Sequence, residues 1–318
     1  MGQTAPLIGV ASAPVPPGAA PEWFEGAHGA RLRAALFPAP GRARGSVVVS
    51  GGRTEPIEKY FEVVEDLRRR GFCVLAHDWR GQGLSQRLLP QRLRGHAGAC
   101  QDFIEDFAAL LAAFEARLPK PWLALGHSMG GCLTALALAR GERRFAAAAL
   151  SAPMFGVRLG SLPAPLVEAT ARLLRLAGAG GALAPGQQLS PPAAPFETNI
   201  LTHDRRRYER NLAQIAASPD LALGGPTWGW LDFAFAAMAE MERGRGAGRI
   251  DIPVLVAVAG EERLVDAKAQ RRVAHRIPGA RLVEIAGAFH ELLQESDELR
   301  ALFWREFDAL AAEVAPLR

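Results

Sequence analysis

The sequence predicts an α/β protein: a mostly parallel β-sheet with helices on both faces and a helical insertion before the last strands. Three observations support this fold class. Short apolar runs alternate with longer amphipathic runs from about residue 24 onward, which is typical of strands and helices in a parallel sheet. About a hundred residues separate the apolar runs 146–150 and 253–259, too many for an ordinary connection. A Gly-x-Ser-x-Gly pentapeptide at 126–130 joins a strand to a helix.

The apolar runs that we interpret as strands are short and lack alternation, as expected of strands buried on both faces. They are 46–50, 73–77, 121–125, 146–150, 253–259 and 281–285. Helical periodicity is found over 56–70, 100–117 and 131–138, and inside the long gap over 166–177, 203–217 and 231–241. Strands and helices therefore follow one another in the order that a sheet covered on both faces requires.

Composition and length predict one large globular domain with an insertion. The chain has 318 residues, of which 49% are hydrophobic and 22% charged, enough to bury a sizeable core. Residues 1–22 are rich in Ala, Pro and Gly and are expected to form a flexible tail. We assign 23–153 and 250–318 to the α/β core and 154–249 to a helical cap.

No targeting or membrane-spanning segment is recognisable in the sequence. The N-terminus has no positive leading segment or sustained apolar stretch, and eighteen apolar residues never run together. The three scattered cysteines predict reduced thiols. A cytoplasmic protein is expected, with at most peripheral contact with the inner face of the membrane.

The pentapeptide predicts a nucleophile elbow centred on Ser128. An apolar run precedes it and strong helix formers follow it, so strand, turn and helix meet at this serine. In so tight a turn, side chains at 126 and 130 would collide with neighbouring backbone, and both positions are glycine. The alternative, a serine in a surface loop, is disfavoured by both flanks.

A serine nucleophile needs a base and an acid that orients the base. His290 follows the last strand-like run and is the candidate base. The acid follows the run 253–259, where Glu262 and Asp266 both qualify. We favour Glu262, because the turn directly after the strand points at the histidine, whereas Asp266 would open the next helix and could cap it. The chain order serine, acid, histidine is that of an α/β-hydrolase.

Two backbone amides are expected to stabilise the negative oxygen of a tetrahedral intermediate. One is that of Met129, immediately after the nucleophile. The other is assigned to Gly52, in the turn 50–53 after the first of the buried strands, where glycine permits close approach of the backbone to a substrate.

The chain resembles bacterial lysophospholipases of the monoglyceride-lipase-like group within the α/β-hydrolases. The resemblance covers roughly residues 25 to 315 and rests on segments 50–55, 78–83, 126–131 and 151–156, with the cap segment 199–204. It implies hydrolysis of a lysophospholipid ester at the cytoplasmic face of a membrane, without a metal or cofactor. It also favours Glu262 as the acid, since these enzymes place a carboxylate there.

Three functions remain open at this point. The first is a lysophospholipase, in which Arg207 and Arg210 of the cap bind the head-group phosphate, because a guanidinium matches phosphate oxygens. The second is a monoacylglycerol lipase, carboxylesterase or peptidase of the same fold, and the third is a non-catalytic binding protein. A solvated helix face is the alternative for the two arginines. No basic run carries the aromatic residues that nucleic acid binding would need.

Overall fold

The computed structural model describes residues 3–160, 162–190, 195–242 and 246–316. Its strands form one eight-stranded sheet. They are β1 (Ala20–Glu25), β2 (Arg31–Phe37), β3 (Gly45–Ser50), β4 (Phe72–His77), β5 (Trp122–His127), β6 (Phe145–Ser151), β7 (Val254–Ala259) and β8 (Arg281–Ile285).

Helices separate most of these strands along the chain. Within the described ranges the α-helices are α1 (Phe61–Arg69), α2 (Cys100–Phe114), α3 (Ser128–Ala139), α4 (Ala164–Leu176), α5 (Arg205–Ala217), α6 (Trp228–Glu242), α7 (Ala267–Ala274) and α8 (Asp297–Val314).

The spatial order of the strands is β1-β2-β4-β3-β5-β6-β7-β8. Strand β2 runs antiparallel to β1 and β4, and every other neighbouring pair is parallel. The carboxyl ends of β3, β5 and β7 therefore lie along the same edge of the sheet, where functional residues of open α/β sheets collect. The predicted fold class is confirmed.

Two apolar clusters cover the two faces of the sheet. One joins the sheet to α2, α3, α6 and α7, and the other joins it to α1 and α8. Strands β3, β4, β5 and β7 are buried along their whole length, which is why their sequences are continuously apolar and not alternating. The candidate site lies at the carboxyl edge of the sheet, between these two layers.

The N-terminal segment corrects the expectation of a flexible tail over 1–22. From residue 3 onward it is bound to the core: Ala5 donates its amide to the carbonyl of Pro21, and Ala5 and Ala13 are buried. Arg33 donates to the carbonyl of Pro6 at 3.0 Å, and β1 begins at Ala20. Backbone hydrogen bonds hold this segment, and such bonds leave no periodic pattern in a sequence.

The long insertion lies between β6 and β7, and its three helices pack in different places. Helix α6 contacts α2 and α3, and the rings of Phe103 and Phe233 stack with centroids 4.5 Å apart. Helix α4 packs on α6, whereas α5 packs near the end of β3, where Gln214 donates to the carbonyl of Glu58. Helix α6 thus belongs to the helical layer of the sheet, and the assignment of 154–249 as a cap remains a prediction.

Candidate active site

The nucleophile elbow joins β5 directly to α3. Ser128 has a φ of 51°, a left-handed conformation that costs a non-glycine residue about 1–3 kcal/mol. A Cβ atom at Gly126 would lie 2.7 Å from the Cα of Gly131, and one at Gly130 would lie 2.2 Å from the carbonyl oxygen of Ser50. Both glycines are therefore required by the close approach of the backbone, and the turn presents Ser128 at the carboxyl edge of the sheet.

Three side chains from distant parts of the chain meet at this edge. The Nε2 atom of His290 lies 2.9 Å from the Oγ of Ser128, although 162 residues separate them. The Nδ1 atom of the same ring lies 2.7 Å from Oε2 of Glu262. The loops after β7 and β8 bring this about, since Glu261 donates its amide to the carbonyl of Ala288. Ser128, His290 and Glu262 thus form a continuous hydrogen-bonded chain.

Glu262 is held in its ionised form. Burial alone would raise the pKa of its carboxyl, but the hydrogen bond and charge of His290 and the amides of Leu264 and Val265 lower it below the ordinary value. Those two amides donate to Oε1 at 2.8 and 3.2 Å. Both oxygens are therefore fixed, one by backbone and one by the imidazole.

Asp266 does not reach the histidine. It is the N-cap of α7, and its Oδ1 accepts the amide of Lys268 at 2.8 Å. Its other oxygen lies 3.5 Å from the guanidinium of Arg272. The structure thus places Asp266 as a helix cap and Glu262 against His290.

The turn after β3 corrects the assignment of Gly52 as an oxyanion donor. Gly52 lies against the nucleophile, since a Cβ there would be 3.1 Å from the Cβ of Ser128. Its amide, however, donates to Oε2 of Glu55 at 2.5 Å. A donor already bound to a carboxylate is not free for an oxyanion. Met129 remains in the first turn of α3, where amides have no carbonyl partner within the helix.

A buried ionic cluster, absent from the sequence-based assignment, supports this turn. Besides the Gly52 amide, Glu55 accepts hydrogen bonds from Lys59 and Tyr60, and Lys59 also donates to Glu291 at 2.5 Å. Glu291 directly follows His290, so Lys59 links the turn after β3 to the loop of the base. Burial would raise the pKa of Glu55, but the charges of Lys59 and His127 and the hydrogen bonds from Lys59 and Tyr60 together lower it to about 2. Glu55 and Lys59 are four residues apart, and this spacing is the sequence feature from which their ion pair could have been predicted.

The structure also corrects the prediction that Arg207 and Arg210 bind phosphate. The Arg207 side chain is only 1% exposed and donates to the carboxylates of Glu62, Asp204 and Asp297. Arg210 donates to Glu62 at 2.7 Å and to the side-chain oxygen of Gln294. Their hydrogen-bonding capacity is used to fasten α5 to α1 and α8. Glu62 lies 145 residues from Arg207, so the sequence does not reveal the pairing.

Replacing Glu62 by Gln is expected to destabilise the fold in a pH-dependent way. Burial would raise the pKa of Glu62, but hydrogen bonds from Arg207 and Arg210 and the charge of Arg300 hold it well below its ordinary value. A lowered pKa contributes stability above about pH 4.5 that is lost as the pH falls and the carboxyl is protonated. The variant should lose about 2–3 kcal/mol at pH 7 and show a flatter decline in acid, measured by urea unfolding from pH 7 to 3.

Glu65→Gln is the matched control for this prediction. Glu65 lies on the same helix but pairs with Arg68 alone and is more exposed, so its loss should cost under about 1 kcal/mol. A Glu62→Gln variant with the acid sensitivity of the unmodified protein would show that the pairing does not carry this stability.

Comparison with known proteins agrees with the fold and with a hydrolase. The family described as Hydrolase_4 (Serine aminopeptidase, S33) matches residues 41–297. The chain is 38% identical to lysophospholipase L2 of Escherichia coli (strain K12), covering 80% of this chain and 77% of that protein. It is 30% identical to the probable lysophospholipase L2 of Haemophilus influenzae, over 80% and 79%, and 27% identical to a monoacylglycerol lipase of Mycolicibacterium smegmatis, over 86% and 91%.

Solved structures show the same architecture. A soluble variant of monoglyceride lipase from Saccharomyces cerevisiae, solved with a substrate analogue, superposes with a TM-score of 0.73 at 17% identity, covering 92% of this chain and 94% of that one. Within the described residues, no group of three or more His, Cys, Asp or Glu is arranged to hold a metal ion. By the family match and by the relatives over most of its length, the chain belongs to the Hydrolase_4 family of α/β-hydrolases.

Proposed function

We propose that this protein is a serine hydrolase that cleaves the carboxylic ester of a lysophospholipid through an acyl-enzyme intermediate. The observation that carries the proposal is the hydrogen-bonded chain from Glu262 through His290 to Ser128. Similarity to two lysophospholipases L2 supports the choice of substrate. The resemblance stated from the sequence agrees with both.

The reaction follows from the geometry of these three side chains. The Oγ of Ser128 attacks the ester carbonyl carbon while His290 removes the hydroxyl proton of this serine. Glu262 stabilises the resulting imidazolium. The tetrahedral intermediate collapses, and His290 donates the proton to the departing glycerol oxygen. Water then attacks the acyl-enzyme with His290 again as the base, releasing the fatty acid and restoring Ser128.

The developing oxyanion needs donors beside Ser128, and we assign the amides of Met129 and Arg53. Because the Gly52 amide is bound to Glu55, the next amide along the turn takes its place. No hydrogen bond from the Arg53 amide to a described residue is found, unlike that of Thr54, which donates to Gln82 at 2.6 Å. Losing one such donor costs about 3–4 kcal/mol of barrier.

A monoacylglycerol lipase is the second candidate, favoured by the similarity to the mycobacterial enzyme. The same three side chains would serve either ester, because the chemistry takes place at the acyl carbonyl and specificity depends on the walls around it. The test is release of free fatty acid from lysophosphatidylethanolamine, monoacylglycerol and a short-chain ester, with an aminoacyl anilide as the peptidase substrate. Fastest turnover of the lysophospholipid supports the proposal, and preference for another substrate contradicts it.

We also propose that the protein contacts a membrane surface through the apolar face of α4 and through Leu162, two residues before this helix. Leu162, Leu166, Leu173 and Leu176 are each 61–69% exposed, whereas large apolar side chains seldom cluster on the surface of a water-soluble chain without a partner. Exposed Arg172 lies on the same helix and suits an anionic lipid surface. Within the described part of the chain, no helix combines the length and apolarity that crossing a bilayer requires.

Removing two of these leucines should weaken binding to vesicles. Leu166→Ser with Leu173→Ser should lower the partition coefficient into phosphatidylglycerol vesicles at least about ten-fold, because each leucine inserted in lipid contributes roughly 1.5 kcal/mol or more. Co-sedimentation measures this, with Val15→Ser as the control, since Val15 is exposed but lies in the N-terminal segment. Unchanged sedimentation of the double variant would exclude α4 as the contact.

A further inference from the structure

Arg53 is a partly buried cation that has no acidic partner among the described residues. Its Nη2 donates to the carbonyl of Gly224, and its Nε is buried with no hydrogen-bond partner in the structure as described. Burial lowers the pKa of the guanidinium to about 10, and no charged neighbour offsets this. The side chain remains charged at neutral pH.

Two other buried arginines of the described chain, Arg33 and Arg80, are paired with carboxylates, whereas Arg53 and Arg87 are not. Arg33 contacts Glu58 and Asp78, each at 2.7 Å, and Arg80 contacts Asp106. These partners raise the pKa of both arginines against the opposing effect of burial. An uncompensated buried charge is costly to a fold. Arg53 is therefore positioned as if an anion from outside the chain completes its surroundings.

The place of Arg53 connects it to the chemistry. It directly follows Gly52, the residue whose Cβ would lie 3.1 Å from the Cβ of Ser128. Its guanidinium carbon is 5.2 Å from the ring centre of Trp230, and a Cβ at Gly95 would lie 2.2 Å from its Nη2. The backbone of Arg53 thus continues the turn that lies against Ser128, and its guanidinium lies between this turn and the insertion.

We propose that Arg53 binds the phosphate of a lysophospholipid whose ester carbonyl lies at Ser128, and so selects a phosphate-bearing substrate over a monoacylglycerol. This inference rests on the proposed function. In a lysophospholipid the phosphate is at the other end of the glycerol from the ester, so an anion must lie near the nucleophile. A guanidinium pairs with two phosphate oxygens at once. Arg207 and Arg210 are occupied by carboxylates and cannot do this.

The test compares kcat/KM for lysophosphatidylethanolamine with kcat/KM for the matching monoacylglycerol. Arg53→Gln keeps a donor for the carbonyl of Gly224 but removes the charge, and should lower the ratio about ten-fold or more, mainly through KM for the phospholipid. Arg53→Lys keeps the charge without the planar fork and should lower the ratio less. An unchanged ratio, or equal losses on both substrates, would overturn the proposal.

Arg87→Gln is the matched control. Arg87 also lacks a carboxylate hydrogen bond, its pKa is likewise lowered to about 10 by burial, and it donates to the carbonyl of Ala222 in the insertion. Its loss should leave the ratio unchanged. If Arg87→Gln lowered the ratio as much as Arg53→Gln does, the effect would come from the packing of the insertion against the core, and the proposal would be overturned.

A second measurement separates the possible sources of phosphate. Glycerophosphoethanolamine should inhibit hydrolysis of the monoacylglycerol competitively, and its inhibition constant should rise about ten-fold in Arg53→Lys or Arg53→Gln, whichever folds as judged by its melting temperature. Stronger inhibition by inorganic phosphate than by this diester would overturn the assignment to a phospholipid. The unmodified protein is measured first: if it does not hydrolyse the lysophospholipid, the proposed function fails, independently of any variant.

Discussion

Ser128→Ala should lower kcat for a lysophospholipid about 10⁶-fold. The covalent route requires an oxygen at this position, and His290 is the base within hydrogen-bond reach of it among the described residues, at 2.9 Å. Without the hydroxyl, binding and the amides of the turn remain, but no acyl-enzyme forms. Release of free fatty acid, followed over hours at high protein concentration, measures the loss.

The same variant separates catalysis from folding. Ser128 is a single small side chain at a position with positive φ, so Ala should retain the melting temperature within a few degrees. A fluorophosphonate probe should label the unmodified protein at Ser128 and leave the variant unlabelled. If Ser128→Ala still released fatty acid at the original rate, another group would attack the ester, and the proposed mechanism would be wrong.

Glu262→Gln should lower kcat about 10⁴-fold. Glu262 accepts a hydrogen bond from Nδ1 of His290 at 2.7 Å, so the tautomer that leaves Nε2 free to accept the serine proton is favoured. A glutamine amide offers a donor as well as an acceptor, and it carries no charge to stabilise the imidazolium. The effect should appear in kcat with little change in KM, because Glu262 does not touch the substrate.

Asp266→Asn is the control for the acid. Asn is as good an N-cap as Asp, so the cap of α7 survives and kcat should stay within about two-fold. The two variants together decide between the carboxylates that the sequence left open. A large loss with Asp266→Asn and a small one with Glu262→Gln would reverse the assignment.

The positions of Ser128 and His290, our proposed nucleophile and base, could be read from the sequence because each is marked by a local pattern. The elbow around Ser128 needs glycines at 126 and 130, which contact backbone only a few residues away or at the end of β3. His290 follows the last strand-like run, and its place in the chain order is itself a signal. The strands β3, β4, β5 and β7 were predicted as apolar runs for a similar reason, since burial on both faces is recorded in the sequence of each strand.

The errors share a different cause. Gly52 was chosen from its residue type, but the carboxylate that occupies its amide comes from Glu55, whose direction depends on Lys59 and Tyr60. Composition suggested a flexible tail, but the amide of Ile8 is held by the carboxylate of Glu58. Neither partner follows from the pattern of its own segment.

By itself, the sequence determined six of the eight strands, the elbow and the late histidine, because backbone conformation and burial act over short stretches and leave a recognisable pattern of residues. Only the tertiary structure decided which acid meets His290, which amide of the turn is free, and which arginines are already paired. Some of those outcomes depend on side chains brought together from as far as 148 residues apart, as for Arg210 and Glu62. The sequence shows that a residue is an arginine, but it does not show the partner of that arginine. The partner can be a carboxylate of the protein or, as we propose for Arg53, a phosphate of the substrate.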